Sequence, residues 1–497
     1  MELIVNSLKE FVWNPALVYI FLGIGAFYSI STRFVQLRCV KDMIKLTFEG
    51  GASNAGVSSF QALSMSLGSR VGTGNIAGVA TAIAFGGPGA VFWMWIMSFL
   101  GSATSFIEIT LTQVYKSNQE GEYRGGPPYY IEKGLKIRWL AVLFAIITMI
   151  VMGLLLPGVQ ANTIALAMDS AFAITPDITG LILVAVLGVI IFGGVKRIAK
   201  AAEIVVPFMA IGYVLVCIIV LVLNISQLPS VILLIIESAF GVEATFGGML
   251  GSAISWGVQR GVYSNASGVG SETFESGAAE VSHPAKQGLV QSFSVYIDSL
   301  VICSATAFMI LLTGIYDVKP EGQEAIVNKL GDIEPSLYTQ LAVESVLPSF
   351  GAPFLAIALL FFCFTTLMSY YYKAETSLAF INRNRNIKLV WPKFALKIVL
   401  LFATYLGSVK TAKLAWAMGD LGLGSMAWLN MITILLLTRT ALKVLRDYER
   451  QRKEGKDPVF DPVKLGIEGA DFWEKEYKEY PVENFKENQR KPKSISS

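Results

Sequence analysis

Four glycines, Gly68, Gly72, Gly74 and Gly78, fall within eleven residues of one apolar stretch, interleaved with Ser66, Ser69, Arg70, Thr73 and Asn75. Each glycine in a helix interior costs about 1 kcal/mol relative to alanine, so four together argue against an ordinary helix. Close packing between helices accounts for small residues. It does not account for an arginine and an asparagine at the same depth. A local unwinding does, because it frees backbone N–H and C=O groups, and such backbone is tolerated at membrane depth only where it is buried in protein or lines a cavity. The chemistry would be recognition of a small solute. Free N–H groups at Thr73, Gly74 and Asn75 would head a half-helix whose positive end favours a carboxylate. Free carbonyls at Gly68, Val71 and Phe240 would suit a cation or an ammonium. Together they suit a zwitterion, an amino acid rather than a sugar.

A second interruption is expected at Phe240-Gly241, flanked by Glu237 and Glu243 and followed by Gly247 and Gly248. Paired interrupted helices in two halves of a chain point to a transport site, so Phe240 and Gly241 are expected at the solute. Thr365 and Thr366 are adjacent hydroxyls in another apolar run. Uncharged oxygens suit Na+; alternatively the two hydroxyls bond back to their own helix. Gln160 and Asn162, beside Pro157, are either glue between helices or groups that read a side chain. Arg70, Glu108, Asp298 and Glu375 are ionisable residues inside apolar runs and are functional suspects on that ground. Arg70 needs a partner, and Asp298 is the expected one; the alternative is that Asp298 binds a cation or a proton. Glu375 and Lys373 read as side chains that reach towards the interface.

The elements that must hold these residues are membrane spans. The chain has 497 residues, 54% hydrophobic and 15% charged, with a mean hydropathy of +0.56, against about 25% charged in soluble domains. The bilayer is thus the first expected partner. A net charge of +3 is too small to indicate nucleic acid. Cys39, Cys217, Cys303 and Cys363 lack metal or redox spacing. His283, the only histidine, falls in a polar loop. No nucleotide motif and no catalytic constellation is present, so neither an enzyme nor a cofactor is expected. The N-terminus lacks the basic region and small-residue cleavage site of a signal peptide.

A span needs about 20 apolar residues, and eleven segments qualify: 13–32, 57–86, 88–115, 138–171, 177–195, 203–225, 229–258, 287–314, 351–382, 391–408 and 411–439. The expected fold is all-α. An extra helix and an interfacial segment (1–56) precede a first five-helix repeat (57–228), a second, inverted one (229–440) and a charged tail (441–497). That tail reads as a solvated, partly disordered cytoplasmic extension, although Phe472 and Trp473 in it could dock. Lys and Arg concentrate after the first, third, fifth, ninth and eleventh spans, including Arg38, Lys116, Lys133, Lys196, Arg385, Lys388 and Arg450. The loop 315–350 is acidic, with Asp317, Glu321, Asp332 and Glu344 among its residues. The positive-inside rule then puts the N-terminus outside and the C-terminus in the cytoplasm of a multi-pass plasma-membrane protein.

The runs VGTGNIAGVA (71–80), GGPGAVFWMWIMSFLG (86–101), RGGPPYYIEKGL (124–135), GVQANTIA (158–165), GGVKRIAKAAEIVVPFMA (193–210) and KQGLVQSFSVYID (286–298) closely resemble the alanine or glycine:cation symporter family, also called sodium:alanine symporters. The resemblance covers most of the chain from the second span to the eighth. It implies symport of a small neutral amino acid with Na+, or with H+ in some members, on the leucine-transporter fold. By motif position it places the substrate carboxylate on the amides of Thr73 and Gly74, with Asn75 adjacent. Gln160, Thr366 and Tyr370 then line the pocket. It also implies a sodium site from Gly68, Val71, Phe362, Thr365 and Thr366. The fold's other sodium site would use Asn75, and Arg70 beside it argues for a single coupled ion. Two departures stand out. The family's SNEAG and GSAP are Ser264-Asn265-Ala266-Ser267-Gly268 and Gly270-Ser271-Glu272-Thr273 here, in what reads as a cytoplasmic loop, and many relatives carry tryptophan near Tyr370. Alanine, glycine, serine and glutamine therefore all stay open as substrates, as do enantiomer and oligomeric state. A sensor or channel on the same fold is the alternative of another class.

Overall fold

The computed structural model describes every residue except 1, 54, 194, 244, 321–323, 332, 384–389 and 478–497. Arg385, Lys388, Glu321, Asp332 and the last part of the tail therefore lie outside the described residues. The chain opens with α1 (Glu2–Val12) and α2 (Pro15–Ser31), separated at Asn14, whose side-chain oxygen accepts from the Ala16 and Leu17 amides. A single turn, α3 (Val35–Arg38), and the amphipathic α4 (Val40–Phe48) follow. Helix α5 (Ser59–Arg70) starts in a capping box, Ser58 with Gln61. It stops at the glycine-rich turn and resumes through a π-helical turn, Gly74–Gly78, into α6 (Val79–Gly86).

Long α7 (Gly89–Tyr115) returns to a small hairpin, β1 (Ser117–Gln119) and β2 (Glu122–Arg124), and to α8 (Pro127–Gly134). Helices α9 (Arg138–Ile150) and α10 (Pro157–Phe172) run together as one 35-residue apolar rod. Next come α11 (Pro176–Ile191), α12 (Val195–Leu223) and α13 (Leu228–Ala239). Helix α14 (Leu250–Asn265) and the short α15 (Thr273–Gly277) flank a second unwound stretch. Helices α16 (Pro284–Val295) and α17 (Ser304–Thr313) are joined by a π-helical segment carrying Asp298. The remainder is α18 (Tyr338–Val346), α19 (Gly351–Asn382), α20 (Val390–Val409), α21 (Ala412–Leu436) and α22 (Thr438–Lys453). Several of these helices carry proline in their first turn, where the missing N–H has no partner to lose.

Among the described residues, eight helices are long and apolar enough to cross a membrane. They coincide with the expected spans 1, 3, 4, 6 and 8–11. The other three expected spans, 57–86, 177–195 and 229–258, overlap the shorter apolar helices Gly74–Gly86, Pro176–Ile191 and Ile225–Ala239. The basic segments meet at one end of the bundle. Arg38 pairs with Glu449 of α22, Arg383 with Glu132 of α8, and Lys133 with Asp471.

The tail corrects the expectation of a solvated extension. Helix α22 packs on α7, and Phe460, Ile467, Phe472 and Trp473 are buried. The Trp473 indole donates to the Gln113 carbonyl at 2.9 Å. The buried Lys116 ammonium faces the rings of Tyr123, Phe472 and Trp473 at 4.7, 4.7 and 5.1 Å. His283 lies in the turn before α16, as expected, and is buried there. It caps α16 by accepting from the Ala285 amide, and its Nε2 faces Asp447 of α22 at 3.4 Å. Aromatic area and a caged ammonium hold this segment against the bundle, which outweighs the charge content that made it read as solvated.

Candidate functional site

Helix α5 ends where Val71 turns extended (ψ 99°), and Gly72 follows it in a tight space. A Cβ on Gly72 would lie 2.6 Å from the Thr366 hydroxyl and 3.0 Å from the Gln160 side-chain oxygen. The freed Gly72 amide donates to Asn75 Oδ1 at 3.0 Å. The Thr73 amide and hydroxyl both donate to Gln160 Oε1, at 3.2 and 2.8 Å, and Gln160 Nε2 donates to the Tyr370 hydroxyl at 3.1 Å. The Thr73 hydroxyl also sits 3.2 Å from Cys363 Sγ. Thr73, Gln160 and Tyr370, placed together by the sequence reading, thus form one hydrogen-bonded group on α5/α6, α10 and α19. The Gln160 carboxamide oxygen thus occupies both Thr73 donors. Gly74 packs against the end of α14, where its Cβ would meet Ser264 and Tyr263 at 3.1 Å.

One turn below, the Thr365 and Thr366 hydroxyls donate to the Gly68 carbonyl at 3.0 and 3.1 Å. The same hydroxyls donate to the Phe362 carbonyl at 2.8 and 3.0 Å. Each hydroxyl thus bonds back to its own helix, as the second reading expects, and each also reaches the Gly68 carbonyl at the break. Gly68, Phe362, Thr365 and Thr366 bring four uncharged oxygens together, and Val71 packs into the same apolar cluster as Phe362. Such a set matches a hard monovalent cation held by neutral oxygen ligands. Among the described residues no three His, Cys, Asp or Glu side chains are grouped to hold a metal ion.

Asp298 and Arg70 do not pair, contrary to expectation. The Asp298 carboxylate accepts from Asn75 Nδ2 at 2.6 Å, Ser264 at 2.7 Å and Ser299 at 2.9 Å. With Thr306 donating to the Asn75 carbonyl at 2.7 Å, it fixes the start of the second half-helix. Arg70 points the other way. Its Nε faces Glu272 at 3.7 Å, and its guanidinium donates to Ser294, the Gln291 carbonyl and Ser105. Three hydrogen-bond donors satisfy Asp298 without a cation, which leaves Arg70 for another carboxylate. Glu375 also pairs inside the protein, with Arg124 at 2.8 Å. Asn162 acts as glue, donating to the Lys410 carbonyl at 2.7 Å.

The second break is also displaced from its expected position. The chain does turn at Phe240-Gly241, with Gly241 at φ +68°. Phe240, however, is half exposed and meets Phe92 edge-on and Trp93 at a tilt, with ring centroids 5.1 and 6.4 Å away. The buried break is 266–272, directly after α14, with Ala266, Gly268 and Gly270 at φ +53°, +83° and +85°. Its Gly268 amide donates to Glu108 at 3.1 Å, and Asn430 donates to both Glu108 and the Gly268 carbonyl at 2.9 Å. The stretch read as a cytoplasmic loop is therefore core backbone. Its signal was present in sequence, the same density of glycine and small polar residues as at 68–78. Ser264, which touches Asp298, and Cys363, which touches Thr73, are the neighbours of the break that the sequence reading did not place there.

The model of the sodium:alanine symporter family matches residues 1–462. The chain belongs to that family. Relatives of this symporter-family chain include the Bacillus subtilis protein YrbD, 60% identical over 474 residues, covering 95% of this chain and 98% of that one. The sodium/proton-dependent alanine carrier protein of Bacillus sp. (strain PS3) is 52% identical over 440 residues, covering 88% and 98%. In structure, a mutant form of the manganese transporter of Eremococcus coleocola aligns with a TM-score of 0.53 at 15% identity, over 82% of this chain and 89% of that one. At that identity the likeness shows a shared membrane-transporter fold, in line with the architecture expected from the motifs. The chain is a transporter, not an enzyme.

Proposed function

We propose that this protein imports a small neutral amino acid of the alanine type together with Na+ by alternating access. The observation that carries the reading is the single unwound turn at 71–73. The Thr73 donors lie on one side of it and the Gly68, Phe362, Thr365 and Thr366 oxygens on the other. The solute carboxylate displaces the Gln160 oxygen from Thr73, and Tyr370, Gln160 and Cys363 bound the side-chain space. Na+ takes the four neutral oxygens, with Val71 as a fifth. The name of the PS3 relative, an alanine carrier coupled to sodium or protons, supports the same reading.

The site is sealed at both ends. Towards the end away from the basic loops, Arg260 of α14 and Asp420 of α21 form a two-pronged ion pair at 2.9 Å, caged by Trp256, Tyr263 and Trp416. Towards the basic end, Lys373 of α19 holds Glu272 at 2.9 Å. Parting one seal at a time would expose the solute alternately. We assign the basic end to the cytoplasm, and count the second five-helix repeat from α14, so that each repeat opens with its broken helix. A sodium ion moving down 100 mV gives about 2.3 kcal/mol, more than tenfold accumulation. The test is counterflow of labelled alanine in proteoliposomes, with and without a Na+ gradient. Na+-stimulated exchange supports the proposal, uptake following H+ alone supports proton coupling in its place, and uptake indifferent to both cations overturns it.

A further inference from the structure

Beneath the threonine hydroxyls lies a buried cluster of charges for which the solute and sodium sites have no use. Lys373 Nζ is 2.9 Å from Glu272 Oε1 and 3.5 Å from Glu275 Oε1, and it also donates to Ser69. Arg70 Nε faces Glu272 Oε2 at 3.7 Å. Ser69 and Ser271 both donate to Glu272 Oε1 at 3.2 Å. Glu275 Oε1 accepts from Ser369 at 2.9 Å; the Oε2 atoms of Glu272 and Glu275 are both buried without a hydrogen-bond partner, and that of Glu272 has the Arg70 Nε at 3.7 Å in its place.

The two carboxylates are held unequally. Both cations lean on Glu272, and two hydroxyls add to it. Glu275 keeps one hydroxyl and the far side of a lysine engaged elsewhere. Among the described residues no further cation makes up the difference. Arg124 of β2 is taken by Glu375, Glu108 of α7 adds a carboxylate on the Glu272 side, and Tyr372 of α19 brings a phenol. A buried carboxylate without a full partner takes a proton more cheaply than it stays ionised. The cluster also spans the parts that must separate. Arg70 ends α5, Glu272 closes the second break and Glu275 lies on α15 just after it, and Ser369 and Lys373 lie one and two turns past Thr366 towards the basic end.

We propose that Glu275 is a proton-binding site on the gate at the basic end. Its carboxylate takes up one proton, on Oε2, as the gate seals and returns it to the same aqueous side as the gate parts. The proton is not carried across; it sets the pH at which the gate releases. This rests on the alternating-access reading above. The experiment is Na+-saturated alanine counterflow by the full chain in proteoliposomes, with internal and external pH equal and stepped from about 5.5 to 8.5. The wild type should follow a single ionisation and slow towards low pH, where protonated Glu275 holds the gate shut. Glu275→Gln should run at the wild-type low-pH rate throughout. Ser369→Ala, which removes the hydroxyl from the ionised form, should move the midpoint up by about 0.5–1 pH unit. A wild-type profile retained in both variants overturns the proposal and leaves the symport reading standing. Stoichiometric proton movement with alanine, abolished in Glu275→Gln, also overturns it, since the proton would then be cargo. Absence of Na+-stimulated counterflow in the wild type at every pH overturns both.

Discussion

At the scale of single residues, the unwound turn works because of what is missing from it. Gly72 has hydrogen where any other residue has carbon, and that space holds the Thr366 hydroxyl and the Gln160 oxygen. Gly72→Ala should lower uptake by about tenfold or more, the equivalent of roughly 1.4 kcal/mol. Gly23→Ala on α2, where a Cβ meets nothing within 4 Å, should leave uptake intact and add up to about 1 kcal/mol of stability. Equal losses in the two variants would show that the effect belongs to folding. Thr366→Ala removes one of the neutral oxygens. The Na+ concentration for half-maximal uptake should rise by about tenfold, since a lost ligand hydrogen-bonding group is worth about 1–1.5 kcal/mol. Unchanged Na+ activation would remove the sodium site from this turn. The break itself was legible in the chain, because four glycines and small polar residues are rare together at membrane depth, whereas Thr366 and Gln160 were placed there only by resemblance to a family. The partner of Arg70 was not readable. Asp298 and Glu272 are both carboxylates at plausible depth, and only the placement of Asn75, Ser264 and Ser299 around Asp298 removes it from the choice.

At the scale of elements, α22 and the segment after it act as a strap across the basic end. Their hold depends in part on a neutral imidazole. His283 Nδ1 accepts from the Ala285 amide, so its proton sits on Nε2, facing Asp447. Burial lowers the His283 pKa from 6.5, and Asp447 only partly opposes this. The docked strap therefore binds fewer protons than the released one between the lowered value and 6.5. Docking is fully favoured above that pH and weakens as pH falls below it. Hydrogen exchange of residues 440–477 should be slow at pH 7.5 and faster at pH 5.5, after correction for intrinsic rates. His283→Gln, which cannot charge, should flatten the difference. Trp473→Ala should release the strap at both pH values, a loss of about 3–5 kcal/mol for a buried tryptophan. Protection independent of pH in the wild type would exclude the imidazole from the hold.

At the scale of the whole molecule, the proposed cycle requires that the Arg260–Asp420 pair and the Lys373–Glu272 pair not open together. Asp420→Asn leaves Arg260 buried without a counter-charge, a loss of about 3–5 kcal/mol that falls on the sealed form. The population should shift towards opening at that end. Cys363, buried beside Thr73, reports on this. An impermeant thiol reagent applied at the end away from the basic loops should label it faster in Asp420→Asn than in the wild type. Unchanged labelling, read by peptide mapping against Cys39, Cys217 and Cys303, would mean that the pair braces helices and does not gate.

The sequence by itself determined the membrane class, the family, the first break and the clustering of basic segments. These follow from composition, local periodicity and short motifs, which neighbouring residues carry on their own. Tertiary structure alone decided where the second break lies, because Phe240-Gly241 and 266–272 carry similar glycine and polar signals and differ only in burial. It alone decided that the charged tail docks, since rings from Tyr123, Phe472 and Trp473 must converge on Lys116 before its charge is held. And it alone brought Glu272, Glu275, Lys373 and Arg70 together, because residues so far apart along the chain meet only once the helices have packed.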